Sequence, residues 1–130
     1  MKRQILNLIP KNRFFHMTQL IELAKKKKFT VMTAVNTLFN LLLTSKKFKE
    51  LDFSGFKFSV GGGMAVMSET AKNWKKVTGT NITQGYGLTE TSPVVSINKI
   101  DNPFNGSIGL PVQSTNIKII DESGKNVDAV

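Results

Sequence analysis

The chain has 130 residues, 40% of them hydrophobic, with 18 Lys and Arg against 9 Asp and Glu for a formal charge of +9. That apolar fraction supports one modest core and is too high for a disordered tail. Cys is absent and His16 is the sole histidine, which excludes a disulfide scaffold, a thiol nucleophile, a thiolate zinc site and a multi-histidine metal centre.

In chain order, Gln4 to Ile9 reads as a short strand closed by Pro10. It is too short and polar for a signal peptide, and no small-residue cleavage site follows. From Thr18, the positions of Leu20, Ile21, Leu23 and Ala24 suit a helix running into Lys25 to Lys28, cations favoured at a helix C-terminus. Phe29 to Thr33 is β-branched and aromatic, as expected of a buried strand. Asn36 to Thr44 reads as a helix apolar nearly all round and therefore buried. The stretch Phe29 to Leu43 is the most apolar of the chain. Thr30, Thr33, Asn36, Thr37 and Asn40 interrupt it, and it falls short of the roughly 18 apolar residues of a membrane-spanning helix. Phe48, Leu51 and Phe53 form a shorter apolar segment before Gly55.

The pattern then repeats. Phe56 to Val60 is a strand running into Gly61-Gly62-Gly63; Ser68 can N-cap a helix from Glu69 to Val77, and Gly79 supplies its stop. Asn81 to Gln84 is a brief strand before a glycine-rich turn. Alternating elements of this kind predict an α/β fold, part of a parallel sheet flanked by helices. The tail changes character: Val94 to Asn98 alternates, Pro103 to Gly106 is a loop, and Ile117 to Ile120 leads into the hairpin turn Asp121 to Lys125. The expected division is a partial α/β subdomain over 1–105 and the start of an antiparallel, β-rich subdomain over 106–130, which looks cut short at its end.

Charge is unevenly spread. Residues 1–60 carry 12 basic and 3 acidic side chains, whereas residues 61–130 carry 6 of each. A solvated helix end accounts for the Lys25 to Lys28 run. The rival reading is a small basic module for anionic membrane or nucleic acid, whose binding would depend strongly on salt and survive Tyr86→Ala and Glu90→Ala.

Two strand-to-loop junctions carry the chemistry, because ligands of parallel α/β sheets bind where strands end. One is Gly61-Gly62-Gly63 and the other Gly85-Tyr86-Gly87-Leu88-Thr89-Glu90. Glycines let the backbone approach a ligand closely. Tyr86 offers a flat ring for stacking, Thr89 a hydroxyl for a phosphate oxygen, and Glu90 a hard oxygen ligand suited to Mg2+. Turns without a ligand are the competing reading. No Lys follows these glycines at Walker-loop spacing, and the dinucleotide fingerprint meets Glu90 or Val66 where its third glycine belongs.

The segment Gln84-Gly85-Tyr86-Gly87-Leu88-Thr89-Glu90 is similar to the Tyr-Gly-x-Thr-Glu signature of the adenylate-forming (AMP-binding) superfamily. Gly61-Gly62-Gly63-Met64, Val35 to Asn40, Leu51 to Ser54 and Gly106 to Pro111 also match in place. In combination these resemble bacterial long-chain fatty-acid–CoA ligases over essentially the whole chain, as a fragment from the middle of the N-terminal domain.

The resemblance implies a nucleotide site of Gly62, Gly63, Gln84, Gly85, Tyr86, Gly87 and Thr89. Tyr86 would stack on adenine, with Gly62 and Gly63 lining the adenine and acyl side and Met64 joining Gly63 at the acyl substrate. Thr89 and Glu90 would be the catalytic pair, Thr89 on the phosphates of ATP and then AMP, Glu90 on Mg2+ as the carboxylate attacks the α-phosphate. Fatty acid and coenzyme A would be the other substrates. No nucleic acid is expected, and the implied location is cytoplasmic, with peripheral contact at the inner membrane. Ala65 departs from the Pro common after this glycine segment, at a position expected to start a helix.

The family's upstream Ser/Thr/Gly-rich phosphate loop, downstream ribose-binding Asp, hinge and C-terminal Lys are not among these 130 residues. The expectation is therefore a polypeptide that makes no acyl-CoA alone, whether a split enzyme or a decayed gene product. Among the remaining residues, His16 has no carboxylate or Ser near in sequence to make it catalytic. Trp74 is expected to pack on the sheet, Asn36 and Asn40 to contact a neighbouring loop, and Thr91, Ser92 and Pro93 to shape the loop after Glu90. Met64 and Met67 suit core packing more readily than an acyl tunnel.

Overall fold

The computed structural model describes residues 13–100 and 102–127, with side-chain surroundings from Met17 onward. The strand expected over Gln4 to Ile9 lies outside the described residues. So does the side chain of His16.

Helices α1 (Arg13–Lys26), α2 (Asn36–Thr44), α3 (Lys46–Lys49) and α4 (Ser68–Thr78) accompany strands β1 (Val31–Ala34), β2 (Phe58–Gly61), β3 (Ile82–Gly87), β4 (Val94–Ile97) and β5 (Leu110–Pro111). The strands form one sheet in sequential order. β1, β2 and β3 are parallel, and their carboxyl ends align through Ala34, Gly61 and Gln84. β4 and β5 then add in antiparallel sense. The mixed α/β architecture is the one expected.

Antiparallel pairing begins at Val94, earlier than the expected start near Gly106, and within the same sheet. Ile117 to Ile120 forms no strand of its own; a single bridge joins Ile120 to Asn126 across the expected Asp121 turn. Asp121 Oδ1 organises that turn by accepting from the amides of Ser123 and Lys125.

The core lies where α2 and α4 meet the sheet. α2 buries Asn36, Phe39 and Leu42 at intervals of three, one stripe of its surface. The expectation that it is buried all round is corrected by Leu41, 40% exposed on the far side. α4 buries Thr70, Ala71, Trp74 and Thr78 and turns Lys72, Lys75 and Lys76 to solvent. Trp74 is fully enclosed, edge-on to Phe39 at 4.6 Å between ring centroids and stacked on Phe48 at 5.3 Å. Asn36 accepts from the Met67 amide and Asn40 from the Thr70 hydroxyl, so both asparagines serve the contact between α2 and the start of α4.

Several local expectations are revised. Among the described residues only β2 pairs with β1, and Val31 and Thr33 are exposed, so the strand is less buried than expected. Ser68 is the first residue of α4, and Met67 occupies the cap position with no side-chain bond. Ala65 lies in the loop ahead of the helix and does not start it. Gly79 ends α4 in the left-handed conformation at φ 77°, as expected of a glycine stop.

Lys25 to Lys28 precede β1, Lys57 precedes β2, and Lys75 and Lys76 close the helix that precedes β3. These exposed lysines therefore gather at the amino ends of the parallel strands. Lys28 pairs with Asp52 at 3.0 Å, an exposed pair of little energetic weight. Among the described residues no helix is long and apolar enough to cross a membrane.

Candidate functional site

The two glycine segments meet at the carboxyl ends of β2 and β3. Gly61 stands opposite Gln84, so Gly62 falls beside Gly85; a Cβ on Gly62 would lie 3.7 Å from the Gly85 carbonyl. The Gly62 amide donates to Ala34 O at 3.3 Å, tying the segment to β1 as well. Gly63 takes φ 75°, which bends the chain away from the strand before α4. Thr33, Ala34, Val35, Val60 and Gly62 line a shallow concavity at this end.

Gly85, Tyr86 and Gly87 do not form the expected turn. β3 runs on through them because β4 pairs with them: Gly85 with Ile97, Tyr86 with Ser96, and Gly87 with Val94, with a bulge between Tyr86 and Gly87. The glycines are what permit this. A Cβ on Gly87 would overlap the Pro93 carbonyl, and one on Gly85 would stand 3.3 Å from Ser96 O.

The chain turns only after Leu88, in a 3-10 turn over Thr89–Thr91. The Thr91 hydroxyl accepts from the Leu88 amide, lies within donating distance of the Leu88 and Pro93 carbonyls, and holds the turn closed. Ser92 follows with φ 60°. Thr91, Ser92 and Pro93 thus shape this loop as expected.

Tyr86, Thr89 and Glu90 are all exposed, Tyr86 by 44%. Among the described residues no hydrogen bond or ion pair occupies the side chain of Tyr86 or Glu90, which leaves a ring and a carboxylate four residues apart free for a ligand. No group of three or more metal-ligating side chains exists among the described residues. A cation at Glu90 would therefore depend on water and on oxygens of a substrate, the habit of Mg2+. Met64 and Met67 are 47% and 60% exposed beside the glycine segment, against the expectation of core packing.

Gln84 differs from the other site residues. It is 4% exposed, and its carboxamide is spent within the chain: Oε1 accepts from the Val66 amide at 2.7 Å, and Nε2 donates to Gly106 O and Ser107 O at 3.0 Å each. The sequence pattern pointed to no role for Ser96 or Asn98. Both help carry the 105–109 loop, Ser96 donating to Ile108 O and Asn98 to Ser107 O. The spacing of Gly106 and Gly109 was the available signal, since both adopt positive φ, and a Cβ on Gly109 would overlap the backbone of Ile97 and Asn98.

A family model described as AMP-binding enzyme matches residues 2–129. This chain belongs to the AMP-binding enzyme family. The family match includes the basic first half, so the uneven charge requires no separate module.

Among similar members of the AMP-binding family, a long-chain-fatty-acid–CoA ligase of Salmonella typhimurium is 50% identical over 109 residues, 83% of this chain and 19% of the relative. The Bacillus subtilis long-chain-fatty-acid–CoA ligase is 34% identical over 118 residues, 88% of this chain and 20% of the relative. Among solved structures, an anthranilate CoA ligase in complex with anthranoyl-AMP superposes with a TM-score of 0.79 at 27% identity, covering 88% of this chain and 22% of that one. The chain therefore spans about a fifth of the length of the curated relatives it matches.

Proposed function

We propose that the chain forms part of the nucleotide site of an ATP-dependent long-chain fatty-acid–CoA ligase. The observation that carries this is the meeting of Gly62 with Gly85 at adjoining strand ends, with Tyr86 and Glu90 exposed and unengaged just beyond. In this reading Tyr86 stacks on adenine, Thr89 donates to the phosphates, and the backbone of Gly62, Gly63, Gly85 and Gly87 lets the nucleotide approach without a Cβ between them. Gly63 and Met64 face the acyl chain, Met64 by an exposed, adaptable thioether. Glu90 fits Mg2+ as a hard, accessible oxygen donor; when bound, the metal would offset charge on the phosphates. Fatty acid and coenzyme A are the remaining substrates of the longer relatives' reaction. Peripheral contact with an anionic inner membrane would fall to the lysines at the opposite end of the strands.

Calorimetric titration of the 130-residue chain with AMP, and with ATP and Mg2+, tests the site. Binding is expected to be weak, to be lost in Tyr86→Ala, and to lose its Mg2+ dependence in Glu90→Ala. Affinity indifferent to both substitutions would reject the assignment. In a single-turnover assay with ATP, Mg2+, oleate and coenzyme A, the chain alone is expected to yield no acyl-CoA, since positioning of the reacting groups supplies much of the rate.

A further inference from the structure

We infer that Gln84 is a positioning residue, the clasp that sets the Gly61 to Met67 segment and the Asn105 to Gly109 loop at fixed places about β3; its bearing on nucleotide rests on the site proposed above. The side chain's orientation follows from its partners. Val66 presents an N–H and can be met only by the amide oxygen, whereas Gly106 and Ser107 present carbonyls and can be met only by the amide nitrogen. A carboxamide is the one uncharged side-chain group that offers an acceptor on one side and two donors on the other.

Each held segment has further ties that transmit its position. Val66 sits directly over Gly61, where a Cβ would overlap its Cγ2, so fixing Val66 fixes the entry to Gly62 and Gly63. The 105–109 loop hangs from β3 and β4 by carbonyls: Gly106 and Ser107 on Gln84, Ser107 also on Asn98, and Ile108 on Ser96. Asn98 also donates to the Gln84 carbonyl through its backbone amide and through Nδ2. Ser96 is the residue paired with Tyr86. Gln84 and Tyr86 are two residues apart on one strand, so both project from the same face. One carboxamide therefore sets the spacing between the glycine backbone and the ring that flank the proposed nucleotide.

Gln84→Glu keeps the shape and the acceptor for Val66. As a carboxylate it has no proton for Gly106 or Ser107; protonated, it recovers one donor. Burial against two carbonyls favours the protonated form, so recovery should occur on acidification. Gln84→Met removes every bond at similar volume.

The experiment compares the 130-residue wild type, Gln84→Glu and Gln84→Met at about pH 5.5 and about pH 9, reading amide exchange by mass spectrometry, AMP affinity by calorimetry and Trp74 emission for the intact core. Expected are faster exchange in both segments together and about tenfold weaker AMP binding for Gln84→Met at either pH, and for Gln84→Glu at the alkaline pH only, with Trp74 emission unchanged. The clasp is overturned if one segment loosens without the other, if neither does, or if acidification fails to restore Gln84→Glu. It is also overturned if both loosen while AMP affinity holds. A wild type that binds no AMP refutes the proposed site instead, and the exchange of the two segments then decides the clasp by itself.

Discussion

The indole Nε1–H of Trp74 donates to Ser59 Oγ at 2.9 Å, with both residues shut off from solvent. This one bond joins the middle of α4 to the middle of β2 and satisfies a polar group at the centre of an aromatic cluster. Ser59→Ala leaves the indole proton without a partner in a space too well packed for easy relief. The expected cost is about 1–3 kcal/mol in urea denaturation, well above a typical surface substitution. Ser59→Thr retains the hydroxyl and should recover part of the loss.

At Gly87 the demand is for empty space. A Cβ would overlap the Pro93 carbonyl and crowd Val94 Cα, so Gly87→Ala must push β4 off the end of β3. Overpacking of this kind costs about 1–3 kcal/mol. Because the damage begins at the bulge, amides of Val94 to Ile97 should exchange faster while those of α2 and α4 keep their protection. Uniform loss of protection would contradict a local effect.

Two carboxylates give the chain an acid-side dependence. The side-chain hydroxyl and backbone amide of Ser54, then Lys28, hold the Asp52 carboxyl well below its ordinary range. The Ser123 side chain, then the Lys125 amide, lower that of Asp121. Both groups are more acidic folded than unfolded. Their contribution is therefore complete above the ordinary carboxylate value of 3.8 and is lost as pH falls below it toward the folded values. A carbon-detected NMR titration should find both midpoints below 3.8. Asp121→Asn should leave the Ser123 and Lys125 amide shifts unresponsive to acid, and midpoints at ordinary values would contradict these turn geometries.

Local pattern carried much of this fold. Asn36 and Thr44 bound α2 as expected, Gly79 ends α4 in the conformation only glycine takes freely, Trp74 packs inward from its helix, and the contacts of Asn36 and Asn40 followed from two polar groups on an apolar helix. What escaped were properties of pairing. A glycine pair reads as a bend until a neighbouring backbone is known to press against it, and β4 presses against Gly85 and Gly87. Exposure along a strand is likewise set by what packs over it, so Phe29 to Thr33 carried no mark of the exposed Val31 and Thr33 of β1. Gln84 stood within a recognised motif, yet its inward direction depends on the Val66 and Ser107 backbones, 18 and 23 residues away.

The gathering of lysines at the amino ends of the strands has a bearing on how an anion would be captured. A four-residue strand spans about 13 Å, beyond the roughly 8 Å over which physiological ionic strength leaves exposed charges sensible to one another. The positive excess therefore contributes little attraction at the glycine end, where Glu90 and Glu69 of the first turn of α4 are exposed. Raising sodium chloride should scarcely weaken AMP binding, whereas any hold on an acidic vesicle through these lysines should fall with salt.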